Sequence, residues 1–127
     1  MFDEKLTAIA NALVEHCRNG TEAEGLATIY AEDCVSVEAA KMEEGGMGPV
    51  FEGRDAIKAK HEWWDANTEV HEFTVDGPFM HGHDRFGVIF SIDVTMKDSG
   101  QRMPMKELGI YTVQDGKIVR EEFYFSA

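Results

Sequence analysis

Basic side chains are scarce in this chain. Its 12 Lys and Arg stand against 24 Asp and Glu, a formal net charge of −12. A surplus of that size repels phosphate backbones and anionic lipid surfaces at long range, so neither nucleic acid nor membrane is expected as a partner. Cysteine is nearly absent. Cys17 and Cys34 show no CxxC or Cys/His spacing that would suggest zinc, and both read as reduced, small apolar side chains. Long apolar runs are missing too. The longest, about Phe86–Ile92, falls far short of the roughly 20 residues a membrane span requires. Charged Asp3, Glu4 and Lys5 follow Met1 and Phe2 directly, so no signal peptide is expected and a cytoplasmic protein is the default. The Gly45-Gly46-Met47-Gly48-Pro49 segment has no phosphate-binding spacing, which excludes a P-loop. There is no internal repeat, low-complexity segment or linker, and 127 residues suit a single domain spanning 1–127.

What is present is a clear order of elements. Phe2, Leu6, Ile9, Leu13 and Cys17 recur at spacings of three and four, one stripe of a first helix that Asn19-Gly20 closes. Thr21-Glu22-Ala23-Glu24 has capping-box spacing for a second helix, with Leu26, Ile29 and Tyr30 on its buried side. Asp33–Ala39 predicts a short strand. Glu43–Gly53 is glycine-rich and reads as a loop. Asp55–Asn67 predicts a third helix with Ala56, Lys60, Trp63 and Trp64 near one side. Strand character then takes over. Val70–Val75 is one strand, broken by Asp76-Gly77-Pro78, and Phe79–His81 is a short second. Phe86–Met96 alternates strictly, with Phe86, Val88, Phe90, Ile92, Val94 and Met96 on one face. The chain finishes in a hairpin around Asp115-Gly116, whose second run places Val119, Glu121, Phe123 and Phe125 on one face. Aromatics on both faces of that run imply cover on both, by helices or by a partner chain. Three helices followed by an antiparallel meander make an α+β fold, with the helices on one face of a curved sheet and a cavity between the two layers.

Several stretches resemble the nuclear transport factor 2-like superfamily, in its SnoaL-like branch. They are Tyr30-Ala31-Glu32-Asp33 before the first strand, Phe51-Glu52-Gly53-Arg54-Asp55-Ala56-Ile57 into the third helix, and Gln114-Asp115-Gly116-Lys117-Ile118-Val119 at the last turn. The resemblance implies a cone-shaped α+β barrel, three N-terminal helices packed on a strongly curved, mainly antiparallel sheet, and a homodimer formed through that sheet. It specifies fold better than activity, because the superfamily includes isomerases, cyclases, dehydratases and non-catalytic binders. One site residue carries over. Ketosteroid isomerase-like members place a carboxylate five residues beyond the acid that closes the second helix, and Glu38 stands five beyond Asp33. Their tyrosine donor on the first helix corresponds here to Leu13-Val14, which argues against a steroid isomerase. Their paired acid on a later strand corresponds to Glu107.

The candidate catalytic set is therefore Glu38, Glu107, Tyr111 and His71. Glu38, placed in an apolar cavity, would act as general base. Glu107 and Tyr111, four apart on one strand, share a face with Gly109, which leaves room for a ligand to approach. The tyrosine hydroxyl would donate to a developing oxyanion. His71 would relay protons inside the cavity. The candidate ligand-binding set is Trp63, Trp64, Phe90, Glu121, Phe123 and Phe125, with one tryptophan lining the cavity and the other covering the helix–sheet seam. Met42, Met47, Met103 and Met105 are candidates for an adaptable cavity mouth. His81 and His83 share a strand face but lack a third ligand at recognisable spacing, so no metal is expected, and no cofactor is implied. His16 and His61 read as helix-surface residues. The function expected is cofactor-independent proton transfer, of isomerase, cyclase or dehydratase type, on a small apolar, carbonyl-bearing metabolite. The alternative is a non-catalytic ligand-binding or dimerisation module.

Overall fold

The computed structural model describes residues 2–41 and 47–126. Met42, and Gly45 and Gly46 of the glycine-rich segment, lie outside the described residues. The elements run α1 (Glu4–Asn19), α2 (Glu22–Ile29), β1 (Tyr30–Val37), β2 (Val50–Glu52), α3 (Arg54–Asn67), β3 (Thr68–His81), β4 (Arg85–Met96), β5 (Arg102–Gln114) and β6 (Lys117–Phe125). The six strands form one sheet in the order β2-β1-β6-β5-β4-β3. All pairings are antiparallel except β1 with β6. Among the described residues β2 and β3 are the two edges, so the sheet curls around the helices without closing into a barrel. The α1 helix crosses β3 and β4, while α3 crosses β1 and β2.

Local chemistry accounts for most boundaries. Asp3 caps α1 by accepting from the amides of Lys5 and Leu6, and Gly20 ends it in the left-handed conformation. The last hairpin turns on Asp115 and Gly116, both at positive φ (50° and 75°), the geometry that matches the right-handed twist of the flanking strands. The alternation expected for β4 is realised, with Phe86, Val88, Phe90, Ile92 and Val94 all buried against the helices. Leu6, Ala10, Leu13, Val14 and Cys17 of α1 complete that core. Both cysteines are buried and unpaired.

Several expectations need correction. Tyr30, expected on the buried side of α2, begins β1, and the segment read as a loop holds β2 at Val50–Glu52. Thr21 does not cap α2 with its side chain; its hydroxyl instead meets the His16 ring at 2.8 Å, and that ring is partly buried against Gly25. The segment Asp76-Gly77-Pro78 does not break β3, which runs unbroken with register shifts at 70/72 and 76/79. An edge strand tolerates proline because the missing N–H faces no neighbour, and the bulge absorbs the irregularity. In β6 a further bulge, opposite Thr112 and Val113, inserts one residue. Ile118, fully buried, therefore takes the inner position assigned to Val119, while Glu121, Phe123 and Phe125 keep theirs through pairing with Tyr111, Gly109 and Glu107.

Candidate functional site

The inner face of the sheet sets a gradient of exposure along β6. Ile118 and Glu121 are buried, Phe123 is partly buried, and Phe125 is 46% exposed. On β5 the same gradient runs from Tyr111, buried, to Glu107 and Met105, both partly buried. Burial on the inner face thus falls from a closed end at Ile118 and Tyr111 to an open end at Phe125, near the tip of β6.

A polar cluster lies between these ends. The centre is Lys60 of α3, only 7% exposed. Its ammonium donates to Ser36 Oγ at 2.7 Å and to Glu38 Oε1 at 2.8 Å, and stands 3.9 Å from Glu121 Oε1. It also lies over the rings of Phe123 (4.8 Å) and Phe51 (5.2 Å), whose electron-rich faces attract a cation. Helix periodicity puts it there. Ile57, Lys60 and Trp64 follow one another at three and four on the face that α3 turns to the sheet. Parity on β1 turns Cys34, Ser36 and then Glu38 to the same side, and parallel pairing sets Ser36 beside Glu121. On the closed side the Tyr30 hydroxyl donates to Glu121 Oε2 at 2.6 Å, the short distance typical of a hydroxyl on a carboxylate.

Burial governs the protonation of the cluster. It pushes the Glu107 carboxyl from 4.5 to about 7; the charges of Glu38 and Glu121 push the same way, and Lys60 opposes them. The hydroxyls of Tyr30 and Tyr111 are held well above their ordinary range by burial and then by the Glu121 charge, so both remain donors. The Cys17 thiol is pushed to about 12 by burial, followed by the charges of Glu22 and Glu121, and so stays a thiol at neutral pH. His61, expected on the helix surface, is partly buried, and burial lowers its pKa.

Of the sequence candidates, Glu38, Glu107, Tyr111, Glu121 and Phe123 come together. Glu38 is not a free base in an apolar pocket, because an ammonium holds it at 2.8 Å. The Tyr111 ring stacks on Phe86 at 4.9 Å and meets the edge of Phe123 at 6.2 Å. Gly109 does not leave room for a ligand: a Cβ there would lie 2.9 Å from the Tyr111 ring and 3.2 Å from Phe123. The glycine lets the tyrosine fold back over the strand. Phe90 is core, stacked on Phe73 at 5.9 Å. Phe125 stands at the open end. Trp64 packs on the core, whereas Trp63 is partly exposed outside it. Met47, Met103 and Met105 are partly buried against the core. His71 is not inside at all. It sits exposed at the first bulge of β3, with Nε2 2.7 Å from Thr95 Oγ1, because the shift at 70/72 takes it out of the alternation. His81 and His83 are exposed as well.

The sequence patterns place Tyr30 and Lys60 on helix faces but assign no site role to Tyr30, Ser36 or Lys60. A lysine inside an otherwise apolar helix stripe, and a serine two before a candidate glutamate on a strand, were the available signals. Their partners lie on other elements and were not visible.

The SnoaL-like domain profile matches residues 6–125. The chain belongs to the SnoaL-like family. Among solved structures, the SnoaL-like chain is 38% identical to a Mesorhizobium loti protein provisionally described as a SnoaL-like polyketide cyclase, over 93% of this chain and 97% of that one, with a TM-score of 0.84. Two more distant neighbours share the fold. One is a Burkholderia pseudomallei NTF2-like protein of unknown function (18% identity, 98% and 92% coverage, TM-score 0.78). The other is a Bacillus subtilis protein provisionally described as an isomerase (17%, 97% and 87%, 0.74). A search of the curated proteins finds no significant match. No helix among the described residues is long and apolar enough to cross a membrane.

Proposed function

We propose that this SnoaL-like protein catalyses cofactor-independent proton transfer, of isomerase, cyclase or dehydratase type, on a small apolar carbonyl compound held at the open end of its interior. One observation carries the reading: Glu107 is a partly buried carboxyl raised to about 7, facing inward on the strand that holds Tyr111. A general base works best with a pKa near the working pH. Glu107 would take a proton beside the carbonyl. Tyr111, folded back over Gly109 and kept protonated, would donate to the enolate oxygen, and Lys60 would add positive charge across the interior. Glu38 would position Lys60 rather than act as the base. The likeness to the Mesorhizobium protein supports the class of reaction and leaves the substrate open.

The test is solvent deuterium incorporation into cyclic ketones, followed by NMR. The wild-type rate should rise with pH through about 7 as Glu107 loses its proton. Glu107→Gln should slow it about 10²–10⁴-fold, the usual worth of a positioned acid or base. Ketone binding without exchange in the wild type would overturn the enzyme reading in favour of a ligand-binding module.

We also propose a homodimer through the outer sheet face. Phe79, Leu108 and Tyr124 are exposed there, and a hollow of about 490 Å³ opens among Phe79, Ile89, Leu108 and Ile110. A monomeric mass in solution would exclude it.

A further inference from the structure

Glu121 is more constrained than proton transfer at Glu107 requires. It is 2% exposed, and its Oε2 is satisfied by Tyr30. Its Oε1 is buried with no hydrogen-bond partner among the described groups. Lys60 meets it as an ion pair at 3.9 Å, beyond hydrogen-bond reach, because Ser36 and Glu38 hold the ammonium. A buried carboxylate oxygen without a donor is costly, so a site that keeps one is shaped for a ligand that brings the donor.

Charge narrows the class of ligand. Three carboxyl groups, on Glu38, Glu107 and Glu121, face one ammonium. An anionic ligand would add like charge to this surplus. A simple ketone has no proton to offer Oε1. A protonated amine brings both the donor and the balancing charge. The ring faces of Phe51 and Phe123 already hold one cation, and the chain's charge of −12 draws cations from solution.

We infer that the interior binds an apolar amine, its ammonium donating to Glu121 Oε1 and its hydrocarbon part lying along Phe123 and Phe125 toward the open end. The inference rests on the interior being the ligand site, as proposed above, and not on the proton-transfer step. Joined to that step, it makes the substrate an amine-bearing carbonyl compound.

The test uses three matched probes on the full chain at pH 7: 2-phenylethylamine, 2-phenylethanol and 3-phenylpropanoate, titrated by NMR. The amine should bind at least tenfold more tightly than the alcohol, and the carboxylate should not saturate. Glu121→Gln should lose at least tenfold in amine affinity while leaving the alcohol unchanged. A second readout needs no variant: bound amine, a cation beside Glu107, should move that carboxyl's titration to lower pH. Equal binding of amine and alcohol, tighter binding of the carboxylate, no binding at all, or an unmoved Glu107 titration would each overturn the inference. If Glu121→Gln does not fold, the wild-type probe order and the Glu107 titration decide. Ketone exchange without amine preference would sink the amine ligand and leave proton transfer standing. Amine preference without exchange would do the reverse.

Discussion

At the closed end of the interior, Glu121 is 2% exposed and fixed by a 2.6 Å bond from Tyr30. Nearer the open end, the Glu38 side chain is 17% exposed and tied to Lys60, while Glu107 is partly buried and burial pushes its carboxyl up to about 7. The same side chain thus occupies three environments within one cluster. Depth alone does not set its behaviour. The deepest glutamate has a dedicated hydroxyl donor, the next has an ammonium, and the third has neither among the described groups. For Glu107, burial without such a donor raises the carboxyl toward neutrality.

The largest effect that would break this contrast comes from removing the shared cation. Lys60→Met keeps much of the apolar stem but leaves Glu38 without its partner and Glu121 without nearby positive charge. Truncating one side of a buried charge pair typically destabilises by about 3–5 kcal/mol. Urea denaturation should show a loss of that order, and Lys60→Met/Glu121→Gln should recover part of it, since the two sites are coupled. Additive losses in the double variant would mean that Lys60 does not balance Glu121.

A smaller effect separates Glu107 from the other two. Its folded pKa, about 7, lies above the unfolded value of 4.5, so the folded state holds the proton more tightly. The stabilisation is fully present below pH 4.5 and is lost as pH rises through 7. Its size is on the order of 1–3 kcal/mol for a shift of this kind. Glu107→Gln should therefore flatten the wild-type decline in stability between pH 5 and pH 8, gaining on the wild type at the alkaline end. An unchanged decline would place the proton uptake elsewhere.

The parts of the fold that could be read from sequence are those fixed by local chemistry. The Asp115-Gly116 turn, the strict alternation of β4 and the apolar stripe of α1 each depend on residues within a few positions of one another. What escaped depends on distant partners. The continuity of β3 through Pro78 follows from its place at the sheet edge, and the parity of Ile118 from a bulge opposite β5. The site divides in the same way. Glu107 and Tyr111 share a face because they lie four apart on one strand. Lys60 joins Ser36 and Glu38 across 24 and 22 residues, and Tyr30 meets Glu121 across 91. No spacing rule spans those gaps. His71 leaves its expected inward place by the same kind of event, a one-residue shift that moves a side chain out of the alternation.

That displacement supplies the smallest prediction and the sharpest boundary for the contrast. His71 touches Thr95 on the exposed side of β3, and no hydrogen bond or ion pair described here joins it to Lys60, Glu107 or Glu121. Exposed substitutions away from caps and buried networks usually stay within about 0.5 kcal/mol. His71→Ala should fall inside that range and leave deuterium exchange, and its dependence on pH, as in the wild type. The exchange rate is the stricter readout, because a relay histidine would change it even where stability is unaffected. A tenfold fall would mean that the outer edge of β3 takes part in the chemistry, and the division between a working interior and an inert edge would have to be redrawn.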